Sequence, residues 1–169
     1  MRIKQITPRA WWPPHVDEVR IISPKKASLP NGQILSSLIT LGHEVHGKIR
    51  NGADLRIADY ARGQSLLASD EFNKLIYDKN PFIPLLFSVK KVVGSNFPGS
   101  LDPLGMVGEH HVTLLQFTFG AVLIDAAAAE FLGHNYKFAN TQVLLIPTEH
   151  EDIVSNLTAV YGGDWRIKE

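Results

Sequence analysis

Apolar positions recur from Gln33 to Arg50 with a helical period. Ile34, Leu38, Leu41, Val45 and Ile49 share one arc of about 80° at about 100° per residue, which predicts an amphipathic helix. Gly42 and Gly47 oppose it by about 1 kcal/mol each relative to alanine. Asn51-Gly52 reads as its stop. Leu55 to Tyr60 then reads as a strand and Ala61 to Gln64 as a turn. Ser69 is placed as the N-cap of a second helix, with Asp70 and Glu71 against the positive end of its dipole and Phe72, Leu75 and Ile76 as its buried stripe. Asn80-Pro81 ends it, because proline disfavours a helical residue before it.

Phe82 to Val93 is an apolar, β-branched run whose start Pro84 confines to an edge or a strand beginning. Gly94 to Gly108 reads as an ordered surface loop or a hairpin crossing. Val112 to Ile124 gives the strongest strand pattern: Leu114, Gln116 and Thr118 alternate with Leu115, Phe117 and Phe119, so one face is the more apolar, and Gly120 marks a bulge or bend. Asp125 is read as the cap of a short helix closed by Gly133. Gln142 to Ile146 is a short strand. Thr148 and Glu151 have the spacing of a capping box before a last helix striped by Ile153, Val154, Leu157 and Val160. Gly162-Gly163 ends that helix, and Asp164 to Lys168 is a final strand with Trp165 packed. Near the start, Arg2 to Ile6 and Val19 to Ile22 read as short strands around the Trp11-Trp12-Pro13-Pro14 segment, which no helix interior or central strand accommodates. The expected fold is therefore α+β: a single domain over residues 1–169, with a mixed or largely antiparallel sheet and two to four helices.

Composition narrows the function classes. The 169 residues are 44% apolar and 20% charged, the range of a folded domain. Seventeen basic side chains balance seventeen acidic ones, so the basic excess of a nucleic-acid binder is missing, and a protein partner or a homodimer fits better. Cysteine is absent, which removes disulfides, thiolate metal sites and thiol nucleophiles. No run approaches the ~20 apolar residues of a membrane span, and the first residues lack a signal-peptide core. A cytoplasmic location is the expectation.

Candidate chemistry is sparse. His43-Glu44-Val45-His46 sets its histidines at i and i+3, one residue short of the helical zinc-protease motif, and reads as two surface histidines near a helix C-terminus. His110 and His111 are adjacent on a strand, face opposite ways and cannot ligate one ion together. A mixed metal site drawing on His43, His46 and His110 or His111 is the alternative. No nucleophile elbow, Walker loop or dinucleotide fingerprint is present. Among the carboxylates Asp54, Asp59, Asp102, Asp125 and Glu130, spacing favours no catalytic pair, and Asp59 and Asp125 read as turn and cap residues. Glu149, Glu151 and Asp152 form the densest acidic group. They read as helix-start chemistry or as an acidic surface for a basic partner. Trp12 is read as a core anchor or an exposed contact, tryptophan being enriched at binding hot spots.

The order strand, aspartate-aromatic, glycine turn, Leu-Leu-Ala-Ser-Asp-Glu-Phe, apolar helix and hydrophobic strand resembles a group of immunity proteins from bacterial polymorphic-toxin and contact-dependent growth inhibition loci. That group carries the pattern DF…GG…LISDRF…L near mid-chain. The corresponding residues here are Asp59, Tyr60, Gly63, Leu67, Ser69, Asp70 and Phe72. Phe119 to Phe131 is similar to an iDlexS stretch of the same group, with its serine missing. The resemblance covers a third of the chain. It implies a cytoplasmic protein that binds a cognate toxin domain and occludes its active site, with no catalysis and no cofactor. Glu149, Glu151, Asp152 and Trp12 are the contact residues expected from this chain itself. A small metal- or His/carboxylate-dependent enzyme and a structural or assembly protein are the other two classes.

Overall fold

A computed structural model describes residues 3–5, 19–52, 64–79, 83–97, 108–128 and 141–168. In chain order the elements are β1 (Ile3–Gln5), β2 (Val19–Ile22), α1 (Gly32–Gly52), α2 (Gln64–Lys79), β3 (Leu86–Ser95), β4 (Glu109–Phe117), β5 (Gly120–Asp125), β6 (Val143–Thr148), a 3-10 turn (His150–Asp152), α3 (Ile153–Tyr161) and β7 (Asp164–Ile167). The strands join into one sheet in the order β1-β2-β6-β5-β4-β3-β7. Its only parallel pair among the described residues is β2 with β6, and every other neighbouring pair is antiparallel. The architecture is α+β, with a mixed, largely antiparallel sheet and three α-helices among the described residues.

The sheet is covered on both faces. Leu115, Phe117, Val122, Ile124, Val143 and Leu145 point to the side packed by α1 and α2. Their strand neighbours Leu114, Ala121, Leu123, Leu144 and Ile146 point to the side packed by α3 and Trp165. Two-sided burial explains why β5 and β6 read as unbroken apolar runs instead of alternating ones. On β4 the more apolar face, Leu115 and Phe117, packs toward α1 and α2, and Leu114 on the other face is fully buried as well. The predicted single strand from Val112 to Ile124 is a hairpin. Thr118 and Phe119 form its two-residue turn, and Phe117 pairs with Gly120. Phe119 stacks on Phe117 at 5.0 Å, so the turn carries an apolar residue that the alternation had assigned to the strand.

Helix α1 matches its prediction. Ile34, Leu38, Leu41 and Val45 are buried, while the side chain of Ile49 lies outside the described set. Asn31 caps it, its Oδ1 accepting from the Ile34 N–H at 2.9 Å. Gly42 lets α1 approach β6 closely: a Cβ there would stand 2.7 Å from Val143 Cγ1. The buried arc is wider than the predicted stripe because α1 packs on the sheet and on α2 together.

Helix α2 corrects the second prediction. It starts at Gln64, so Ser69 is no N-cap but a buried residue of the second turn, where its hydroxyl accepts from Thr113 at 3.3 Å. Leu66, Leu67 and Ala68 are good helix formers. With Ala68 buried beside Phe72, Leu75 and Ile76, the extra turn adds apolar burial that outweighs the capping preference of a serine. Asp70 and Glu71 therefore sit past the first turn and pair across elements, with Lys91 of β3 and Lys48 of α1. The predicted strand over Leu55–Tyr60, the turn at 61–63, the Trp11–Pro14 segment, Asn80-Pro81, most of the long loop after Gly94 and the helix after Asp125 beyond Ala128 lie outside the described residues. Gly162-Gly163 does end α3, and Trp165 is packed at 8% exposure.

Candidate interaction surface and buried polar core

Two polar assemblies stand out, one sealed and one open. The sealed one joins β4, β5 and α3. The β4–β5 register brings His110 beside Asp125, and Tyr161 reaches the same carboxylate from the last turn of α3. His110 Nε2 donates to Asp125 Oδ2 at 2.6 Å, and the Tyr161 hydroxyl donates to the same oxygen at 2.5 Å. Asp125 Oδ1 accepts the Ala127 N–H at 2.7 Å. All three side chains are buried, with Asp125 at 2% and the other two at 0% exposure. Trp165 closes the cluster edge-on to His110 at 6.4 Å, its Nε1 donating to the Gly162 carbonyl at 2.8 Å. Asp125, read as a helix cap, accepts the Ala127 N–H as a cap would, while the helix it was to cap lies outside the described residues beyond Ala128. Its other two partners were not predicted. Chemically the group can hold a proton network, and its three side chains are closed off from solvent.

The histidines do not converge. His110 and His111 do face opposite sides of the sheet. His46 is buried at 7% exposure, with its Nδ1 3.1 Å from the Ala126 carbonyl, and His43 is half-buried, so neither is the surface residue the sequence predicted. The cause is the wide buried arc of α1. His46 lies on the α1–α2 side and His110 on the α3 side, with the sheet between them. Among the described residues no group of three or more His, Asp or Glu gathers at ligating distance.

His111 lies under the start of α2, its backbone N–H donating to Ser65 Oγ at 3.0 Å. Burial holds its pKa below the ordinary value of 6.5, and the positive charges of Lys168 and Lys91 and the neighbouring His110 add to this against the opposing pull of Glu109. The unfolded chain thus binds a proton at His111 more readily than the folded one. Stability from this group is full above pH 6.5 and falls as pH drops toward the lower folded value. Urea unfolding at pH 7.5 and 5.5 should show a loss on acidification that is smaller in His111→Gln than in the natural chain.

The open assembly lies at the opposite end of β4. After β6 the chain makes the 3-10 turn, and the predicted capping box does not form. Thr148 is the last residue of β6 and is buried; its hydroxyl donates to the Glu149 carbonyl at 2.9 Å and accepts from Asn156 Nδ2 at 2.7 Å. The interposed turn delays α3 to Ile153, and neither Glu149 nor Asp152 caps with its side chain. His150 Nε2 donates to the Phe117 carbonyl at 3.1 Å and fastens the turn to the β4–β5 hairpin. Lys25 meets Asp152 at 2.9 Å. Glu151 is exposed and Glu149 half-buried.

Beside this turn, β3 bulges between Leu86 and Ser88. The bulge sets two residues against Phe117 of β4, so Leu86 enters the core and Phe87 turns outward at 62% exposure. The Phe87 ring lies 6.4 Å from the ring of His150. Leu85, 55% exposed, precedes it with φ at 68°. Glu149, Glu151 and Asp152 thus flank the His150 ring against which Phe87 lies, and Phe87 belongs to the apolar run whose start Pro84 confines to an edge or a strand beginning. Only a register irregularity separates Phe87 from its buried neighbours, and no local pattern announced it. Trp12 lies outside the described residues, as do Asp54, Asp59, Asp102 and Glu130. No described helix is long and apolar enough to cross a membrane. Compared with family models, curated proteins and solved structures, the chain matches none.

Proposed function

We propose that this chain is a toxin-neutralising immunity protein, cytoplasmic and without catalysis of its own, that binds a cognate bacterial toxin domain and occludes its active site. The observation that carries the reading is the open end of the sheet, where the outward-turned Phe87 lies against an acidic turn tied to the core. A preformed patch of this kind loses little freedom on binding. A contact of standard size covers ~800 Å² on each partner, enough to close a substrate groove. The resemblance over residues 55–93 and the balanced overall charge agree with it.

Co-expression tests it. The C-terminal domain of a large secreted protein encoded next to this chain should arrest growth alone, be tolerated with this chain present, and co-purify with it. Absence of both rescue and co-purification contradicts the reading. The triple reversal Glu149→Lys, Glu151→Lys and Asp152→Lys should slow association about tenfold or more at low ionic strength and flatten its salt dependence. An unchanged association rate removes the acidic turn from the contact.

A further inference from the structure

Phe87 carries more than general stickiness. Its outward direction is set by the β3 bulge, and the His150 ring stands behind it. His150 is itself held by the Phe117 carbonyl, so the support reaches into the central hairpin. Leu85 adopts a positive φ that side chains with a Cβ disfavour, and its side chain is nonetheless turned to solvent. An exposed aromatic on a firm backing is the arrangement of a binding anchor.

The charge around it selects the partner. Lys25 neutralises Asp152, but no ion pair engages Glu149 or Glu151 among the described residues. Two carboxylates without an ion pair among the described residues therefore flank the His150 ring on which Phe87 rests. Nucleic acid is repelled by such a surface. A second copy fits poorly too, because a two-fold contact would set this acidic patch against itself. We infer that Phe87 is the anchor of the toxin contact, seated in an apolar recess within a basic surface of the toxin domain, as in a groove that holds an anionic substrate. This rests on the immunity reading and names the site that performs it.

Calorimetric titration with the catalytically inactivated toxin domain encoded beside this chain is the test. Phe87→Ala should weaken binding about 30-fold or more, as loss of a hot-spot residue does. Phe87→Tyr keeps the ring and should bind within about threefold of the natural chain, as should Leu67→Ala, whose side chain is exposed at the other end of the sheet. Unchanged binding by Phe87→Ala overturns the anchor while leaving the immunity reading intact. Failure of the natural chain to bind overturns both. Sedimentation showing a homodimer that Phe87→Ala splits assigns the patch to self-association and overturns the inference as well.

Discussion

Replacing Asp125 with alanine is expected to destabilise the fold by about 3–5 kcal/mol, because it takes the shared acceptor away from three buried donors. The carboxylate is the meeting point of the Tyr161 hydroxyl, the His110 ring and the Ala127 N–H. Alanine leaves all three donors buried, and each unmet donor carries a desolvation cost of about 1–3 kcal/mol. Relaxation and water entry keep the sum from being additive. Asp125→Asn should cost less, because it still offers one acceptor. Urea titration of the two variants checks the order. A loss below about 1 kcal/mol for alanine would mean that the cluster is not what ties α3 to the hairpin.

Trp165→Ala should cost a similar amount, about 3–5 kcal/mol, as large-to-small changes of buried aromatics do. The indole is 8% exposed, lies 5.1 Å from the Tyr161 ring and 5.8 Å from that of Phe97, and covers His110. It fits because β3 offers Gly94 opposite it: a Cβ on residue 94 would stand 2.5 Å from Trp165 Cε2. Gly94→Ala is therefore expected to destabilise as well, by the 1–3 kcal/mol typical of overpacking, roughly. Denaturant midpoints for both variants test the packing from its two sides. Wild-type stability in Gly94→Ala would show that the indole can shift at no cost.

How far the sequence could be read depends on the range of each interaction. The α1 stripe, the α3 terminator and the packed Trp165 depend on local period or local backbone preference, and they agree with the structure. The β4–β5 hairpin did not show itself, because Thr118-Phe119 continues the apolar alternation and lacks a turn signature. Ser69 and Thr148 have the chemistry of caps, yet both are buried by elements distant in sequence, and burial decided their roles. The His110–Asp125–Tyr161 cluster joins residues 15 and 36 positions apart, a relation no local pattern encodes. Glu149, Glu151 and Asp152 were legible as an acidic group with a candidate contact role. That Phe87 stands beside His150 of that turn follows only from the bulge.

Hydrogen–deuterium exchange of the purified chain, with and without the inactivated toxin domain, reads out which surface meets the partner. We expect new protection centred on Leu85–Ser88 and Glu149–Asp152, with the exposed face of α2 around Leu67 unchanged. Complex formation that leaves both segments unprotected, or that protects α2 instead, would contradict the claim that this end of the sheet meets the partner.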